Sequence, residues 1–137
     1  MTRATLILLG LVLSLVVAAS AGASRAQTCA PRSIGPGSLL RGGTAGAACL
    51  LHAYQHGCTP AQYTLSSFGV DTIASLRFAL LRRNGKCTIA VTRSFRVVPQ
   101  QPRVTAAGTC KTIRKTPTDI VAAGCSGGLS PTTSLTH

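Results

Sequence analysis

The sequence predicts a small, disulfide-stabilised α+β domain, with one short N-terminal helix followed by an antiparallel sheet of about four or five strands. Three observations predict this fold class. An apolar N-terminal segment precedes six cysteines, which is typical of small exported domains. A helical pattern comes before the first extended segment, and an Asn84-Gly85 dipeptide joins two segments in which apolar and polar residues alternate.

Residues 1–26 are predicted to be a secretory signal peptide. A short, positively charged start precedes an almost wholly apolar stretch over residues 4–19, and small residues follow. The small side chains of Ser24 and Ala26 fit cleavage directly after Ala26. The alternative is an N-terminal membrane anchor that stays attached, because residues 4–23 carry no charge and about 20 apolar residues span a bilayer. The domain is predicted to be secreted, or to lie outside the membrane if the anchor is retained.

Removal of the signal from the 137-residue chain would leave 111 residues, which corresponds to one domain. We predict a Gly/Ser/Pro-rich segment over residues 27–43, a disulfide-stabilised α+β domain over residues 44–125, and a flexible tail over residues 126–137. The even number of cysteines predicts three disulfides. Many pairings are open, and the sequence does not choose among them. The sequential set is our hypothesis: Cys29–Cys49, Cys58–Cys87 and Cys110–Cys125.

The helix is predicted from Ala47 to His56, with Thr44 as its N-cap and Gly57 at its end. Four apolar side chains would share one helical face: Ala47, Leu50, Leu51 and Tyr54. The following segment, residues 62–70, has the composition of a strand. Residues 103–113 and 118–123 are weaker strand candidates.

A β-hairpin around Asn84-Gly85 is the strongest local prediction, because both residues tolerate the positive φ of a two-residue turn. This turn would place three pairs opposite each other: Arg83 and Lys86, Leu80 and Ile89, and Phe78 and Val91. One face would then be apolar: Leu76, Phe78, Leu80, Cys87, Ile89, Val91 and Phe95. The other would be polar and cationic: Arg77, Arg83, Lys86, Thr88, Thr92, Ser94 and Arg96. Arg82 and Arg93 are exceptions on the apolar face.

The charge of the chain is strongly positive, with 14 Lys and Arg against 2 Asp and Glu, for a net charge of +12. Loss of Arg3 and Arg25 with the signal would lower it by two, to +10. Such a surface attracts anions, although positive charge also simply keeps a protein soluble. The residues predicted to bind an anion lie on the polar hairpin face: Arg77, Arg83, Lys86 and Arg96. Wall polymers and anionic lipid headgroups are the expected partners, and no specific protein partner is inferred.

Specific nucleic-acid binding is not expected, because the cationic hairpin face carries no aromatic side chains for base stacking. Cys49, His52, His56 and Cys58 have a spacing that could surround zinc, but export favours disulfides, so no metal or cofactor is predicted. The order His56, Asp71, Ser126 matches that of chymotrypsin-like proteases, yet the chain is too short for their two barrels. We therefore predict a non-enzymatic binding module. The alternatives are a secreted protease inhibitor and a small hydrolase that uses His56 or Ser126.

The stretch from Ala48 to His56, together with Gly69-Val70-Asp71-Thr72 and Gly85-Lys86-Cys87, resembles a group of uncharacterised small secreted bacterial proteins with paired cysteines. The resemblance covers roughly residues 47–99 and implies no particular activity. The order of a helix followed by a meander of strands is also similar to cystatin-like folds, although many small α+β domains share it.

Overall fold

A computed structural model describes residues 25–36 and 43–137. It contains one helix and nine strands within those ranges: β1 (Gln27–Thr28), β2 (Arg32–Ile34), α1 (Ala45–Gln55), β3 (Ala61–Phe68), β4 (Thr72–Arg83), β5 (Lys86–Val97), β6 (Arg103–Cys110), β7 (Thr112–Lys115), β8 (Ile120–Ala123) and β9 (Thr132–Ser134). Nearly all of the predicted signal peptide, residues 1–24, lies outside the described residues. In the part that the structure describes, no helix has the length and apolar character needed to cross a bilayer.

The predicted α+β class is confirmed, but the main sheet has six strands and is mixed rather than antiparallel. Strands β3 to β6 form the antiparallel meander. Strands β1 and β2 both pair in parallel with the outer edge of β3, through Gln27 opposite Ala61 and Arg32 opposite Leu65. The Gly/Ser/Pro-rich segment predicted over residues 27–43 therefore contributes five residues to the sheet, which its composition did not indicate. Strands of two or three residues are too short to show the alternation of apolar and polar residues that identifies a strand in a sequence. They form because they pair with the free edge of β3.

The predicted hairpin is confirmed in its turn and its register. Asn84 and Gly85 have φ values of 50° and 74°, which is the conformation that a two-residue hairpin turn requires. Arg83 lies opposite Lys86, and the pairing continues for twelve residues in each strand. The alternation of side chains therefore gives β4 and β5 one mainly apolar face and one face that carries Arg77, Arg83, Lys86 and Arg96, as the sequence indicated, although Ile73, Ala79, Leu81 and Ala90 also lie on the second face.

The core lies on one face of the main sheet, where α1 packs beside a second, three-stranded sheet of β7, β8 and β9. Its largest fully buried side chains come from both layers: Tyr63, Phe78, Leu50, Leu80, Ile89, Leu135 and Val91. The helix approaches the sheet closely at Gly46, where a Cβ would lie 2.7 Å from the Tyr63 ring and 1.8 Å from the Ala30 carbonyl oxygen. Thr44 precedes the helix as predicted, but its side chain makes no capping hydrogen bond.

The C-terminal residues belong to the fold, so the prediction of a flexible tail over residues 126–137 was wrong. Strand β9 pairs with β8, and the Leu135 side chain is completely buried. The Tyr63 hydroxyl donates a hydrogen bond of 2.8 Å to the Leu135 carbonyl oxygen. The Gly-, Ser- and Thr-rich composition indicated mobility, but two leucines, Leu129 and Leu135, hold the segment against the core.

The sequential disulfide pairing is confirmed. Cys29–Cys49 joins the end of β1 to α1, Cys58–Cys87 joins the segment after α1 to β5, and Cys110–Cys125 joins β6 to the loop after β8. Each bridge connects two different elements of the fold. Three disulfides indicate that the protein occupies an oxidising compartment.

Candidate functional site

The four predicted anion-binding residues lie on the same face of the main sheet, opposite the core. Arg77 and Arg83 occupy odd-numbered positions of β4, while Lys86 and Arg96 occupy even-numbered positions of β5, and the pairing places these positions on one side. The helix and the second sheet both pack on the other side. Arg77, Arg83 and Lys86 are exposed, and Arg96 is half-buried. We call this surface the cationic face.

Small hydroxyl side chains form the floor of the cationic face. Four serines from four neighbouring strands lie in one row across the sheet: Ser33, Ser66, Ser75 and Ser94. The hydroxyls of Ser66 and Ser75 are 2.9 Å apart and share a hydrogen bond. Thr64 and Thr92 lie on either side of Arg77 in the next row. The middle of the face therefore carries short hydrogen-bonding groups close to the backbone, while larger apolar side chains lie toward its ends, Phe68 and Ile73 at one and Leu81 at the other.

Arg77 is held in place by a chain of hydrogen bonds that crosses three strands. Its guanidinium donates to the Gln62 side-chain oxygen at 2.5 Å, and the Gln62 side-chain nitrogen donates to the Thr28 hydroxyl at 3.1 Å. Thr28 is in turn positioned by the parallel pairing of β1 with β3. The remaining guanidinium hydrogens of Arg77 are left for a partner from solution, because one side-chain oxygen satisfies only part of its five donors.

The cations are spread along the hairpin instead of converging on one point. Arg83 and Lys86 form a directly opposed pair at the turn. Arg77 lies six residues away along β4, about 20 Å from that pair, and Arg96 lies about 13 Å further, opposite Ile73. Together they form a stripe about 33 Å long. Such spacing cannot surround a small anion, but it can contact an extended chain of charges at several points.

Acidic side chains do not neutralise the middle of this stripe. The chain has two acidic residues, Asp71 and Asp119. Asp71 lies in the exposed turn between β3 and β4, beyond the Arg96 end of the stripe. Asp119 lies beside the second sheet, where it accepts hydrogen bonds from the Thr136 hydroxyl and the Ile120 N–H. Burial alone would raise the pKa of the Asp119 carboxyl, but hydrogen bonds from Thr136, Ser134 and Ile120 outweigh that effect and lower it.

The structure does not form the zinc-type site that the spacing of two cysteines and two histidines suggested. Cys49 and Cys58 are both in disulfides, so their sulfurs cannot act as thiolate ligands beside His52 and His56. The two histidine rings stack at 3.8 Å, and His56 Nδ1 lies 2.9 Å from the His52 carbonyl oxygen.

The three residues of the triad pattern are also apart. His56 follows α1, close to the Ala61 end of β3, while Asp71 follows the opposite end of that eight-residue strand, about 25 Å away. Ser126 lies beside β6, where its hydroxyl donates to the Thr109 carbonyl oxygen at 3.3 Å. These residues therefore do not form a hydrolytic site with one another.

Sequence reasoning missed two features of this region. The support of Arg77 by Gln62 and Thr28 depends on β1, which the sequence did not predict. The burial of Arg32 on the core side of β2 was likewise not anticipated, and no local pattern around residue 32 indicates it.

Comparisons with protein-family models, curated proteins and solved structures find no match to this chain.

Proposed function

We propose that the protein is a secreted, non-enzymatic module that binds an extended anionic polymer or surface through its cationic face. The observation that carries this proposal is the spacing of the cations. Arg77, the Arg83–Lys86 pair and Arg96 occupy three points along a stripe of about 33 Å, with no acidic side chain between them.

The chemistry of the face favours a hydrophilic partner with repeated negative charges. Arginine binds phosphate and carboxylate groups through paired N–H donors, and the serine row can hydrogen-bond to polar groups between those charges. Phe68, the last residue of β3, is the one aromatic residue among the paired positions of this face in the described strands, so stacking on sugar rings or bases contributes little. Wall polymers and anionic lipid headgroups are the partners that fit this description.

Opposed like charges at the hairpin turn support the same proposal. Arg83 and Lys86 lie directly across from each other, an arrangement that destabilises a sheet when no counter-charge is present. Both side chains are exposed, so water screens most of this repulsion. A bound polyanion would remove the remaining repulsion between Arg83 and Lys86. The polymer would therefore be attracted most strongly at the hairpin-turn end of the stripe.

The test compares two variants that lose the same charge. In the first, the four residues of the cationic face are changed to serine: Arg77, Arg83, Lys86 and Arg96. In the second, four exposed cations elsewhere are changed to serine: Arg103, Lys111, Arg114 and Lys115. Affinity for purified anionic wall polymer and for phosphatidylglycerol vesicles is measured from low to high salt.

We expect the first variant to lose most of its binding and the second to keep most of it. Each neutralised anionic site contributes about 0.7–0.9 to the slope of log affinity against log salt for nucleic-acid polyanions. Loss of the cationic face should therefore reduce that slope by about 3. Equal losses in the two variants would show that binding depends on net charge alone, and the proposal would then be wrong.

A further inference from the structure

The exposed apolar side chains of the protein are concentrated at one end of the main sheet. In the part of the chain that the structure describes, six large apolar side chains are exposed, and five of them lie where the β3–β4 turn and the β5–β6 loop meet: Val70, Phe95, Val97, Val98 and Val104. The sixth, Leu81, lies near the opposite end of the sheet. We call the five residues the apolar tip. Soluble proteins rarely expose a contiguous apolar patch unless it binds something.

The two connections that form the apolar tip are held side by side by backbone hydrogen bonds. The Val98 N–H donates to the Asp71 carbonyl oxygen at 2.8 Å, which joins the β5–β6 loop to the β3–β4 turn. The turn itself is closed by a 2.8 Å hydrogen bond from the Gly69 N–H to the Thr72 carbonyl oxygen. Val70 is 94% exposed within this closed turn. Because the backbone that presents it is already held in place, binding through its side chain costs little conformational entropy.

Apolar side chains lie on both sides of the sheet at this end. Phe95 and Val97 occupy odd-numbered positions of β5 and point to the core side. Val104 pairs with Ser94 and points to the side of the cationic face, where Phe68 also lies. A protein partner with a flat surface would cover only one side of the sheet. A medium that surrounds the whole end, such as the outer part of a lipid bilayer, would remove all of these side chains from water.

The length of the apolar tip matches the depth to which interfacial segments enter a bilayer. Phe95 lies two residues before Val97, the last residue of β5, and Ser94, the partner of Val104, lies three residues before it. These side chains therefore lie within about 10 Å of the end of the strand. Amphipathic segments at a membrane surface bury their apolar side chains about 5–10 Å into the boundary between headgroups and acyl chains. End-on insertion would bring the tip into that boundary and leave the rest of the sheet in water.

The charges beside the apolar tip fit an anionic bilayer. Arg96 follows Phe95 in β5, and Arg103 lies opposite Phe95 in β6. Asp71 is the one acidic residue at this end, because Asp119, the other one in the chain, lies beside the second sheet. Arginine can bind lipid phosphates while its aliphatic stem stays among apolar groups. The strongly positive net charge of the chain opposes contact with a second copy and favours an anionic surface.

We propose that the apolar tip inserts end-on into the outer part of an anionic lipid bilayer, with Arg96 and Arg103 at the level of the lipid phosphates. The inference rests on the proposed function only in that the cationic face supplies attraction over distance, whereas insertion depends on different side chains. It also selects one kind of partner for this end of the protein. A wall polymer has no apolar interior that would remove Val70 and Val98 from water.

The first experiment uses tryptophan as a probe of the surroundings, because the natural chain contains none. Val70→Trp places a single tryptophan at the apolar tip, and the matched control Leu81→Trp places one at the exposed apolar position near the other end. Emission is recorded with vesicles of phosphatidylglycerol and phosphatidylcholine, and separately with soluble anionic wall polymer. With vesicles, the emission of Val70→Trp should move to shorter wavelength and be quenched by lipids brominated in their acyl chains. Leu81→Trp should respond much less, and the polymer should not shift the emission of Val70→Trp.

The second experiment measures what the apolar tip contributes to affinity. Changing both Val70 and Val98 to serine should weaken vesicle binding about tenfold, because two apolar side chains no longer leave water on binding. Both positions are exposed, so the thermal midpoint and the affinity for soluble wall polymer should not change. The control Leu81→Ser should bind vesicles as the natural protein does.

Three results would overturn insertion of the apolar tip. Equal blue shifts at the two tryptophan positions would show that the sheet lies flat on the vesicle surface. Unchanged vesicle binding by the double serine variant would show that the tip stays in water. Loss of a dimer of the natural protein in that variant, with vesicle binding intact, would assign the tip to contact between copies. Polymer binding that survives loss of the cationic face would contradict the proposed function alone, because the blue shift of Val70→Trp would still report insertion.

Discussion

The phenol of Tyr63 gives the protein a specific sensitivity to alkaline pH. Its side chain is 1% exposed in the core, and its hydroxyl donates a 2.8 Å hydrogen bond to the Leu135 carbonyl oxygen. Burial raises the pKa of Tyr63 to about 12 from its ordinary value of 10.0, against a smaller lowering by the charge of Arg32. The neutral phenol is therefore favoured by folding, and the ionised form is disfavoured.

The size of the loss in stability at alkaline pH follows from the difference between the pKa values of Tyr63 in the folded and unfolded states. Because the folded pKa is raised, the stabilisation is fully present below pH 10 and is lost as the pH rises toward 12. At pH 11 the unfolded state is largely ionised at Tyr63 while the folded state is not. This difference corresponds to a loss of about 1.4 kcal/mol in the free energy of unfolding, or one pKa unit.

The assay compares the natural protein with the Tyr63→Phe variant by denaturant unfolding at pH 8 and at pH 11. At pH 8 the variant should be less stable by about 1–3 kcal/mol, because the Leu135 carbonyl oxygen loses its donor. By pH 11 this difference should shrink by about 1.4 kcal/mol, since phenylalanine does not ionise. A difference that stays constant between the two pH values would refute the reasoning, because Tyr63 would then titrate alike in both states.

Two further predictions concern the core and the disulfides. Phe78→Ala should lower the free energy of unfolding by about 3–5 kcal/mol, because the side chain is completely buried. The control is Val70→Ala, at a position that is 94% exposed, which should change the free energy of unfolding by less than about 0.5 kcal/mol. Replacing both Cys110 and Cys125 by serine opens a loop of 15 residues and should cost about 3 kcal/mol in denaturant unfolding under oxidising conditions. An unchanged unfolding midpoint in either case would contradict the packing or the loop-closure argument.

The sequence predicted the elements whose information is local. The hairpin was predictable because Asn84-Gly85 favours one turn conformation and the alternation of side chains then determines the register over twelve residues in each strand. The same alternation was enough to predict that Arg77 and Arg96 share one face of the hairpin. The helix was predictable from its apolar spacing, within two residues at its start.

The elements that the sequence did not predict depend on partners far away in the chain. Strands β1, β2 and β9 have two or three residues each, so their formation depends on the exposed edges of β3 and β8. The buried position of Arg32 follows from β2 and could not be foreseen without it. The support of Arg77 by Gln62 and Thr28 was unpredictable for the same reason, since the residues are brought together only by parallel pairing.

The sequential order of the disulfides has a consequence for how the protein reaches its oxidised state. Each cysteine is bonded to a cysteine that is its immediate neighbour in the order along the chain. If the chain is translocated from its N-terminus, Cys29 meets Cys49 before Cys58 has emerged, and each later pair follows in turn. An oxidase that acts on cysteines as they emerge would therefore produce the native bridges directly. A chain exported in this direction has little need for an isomerase to correct its pairing.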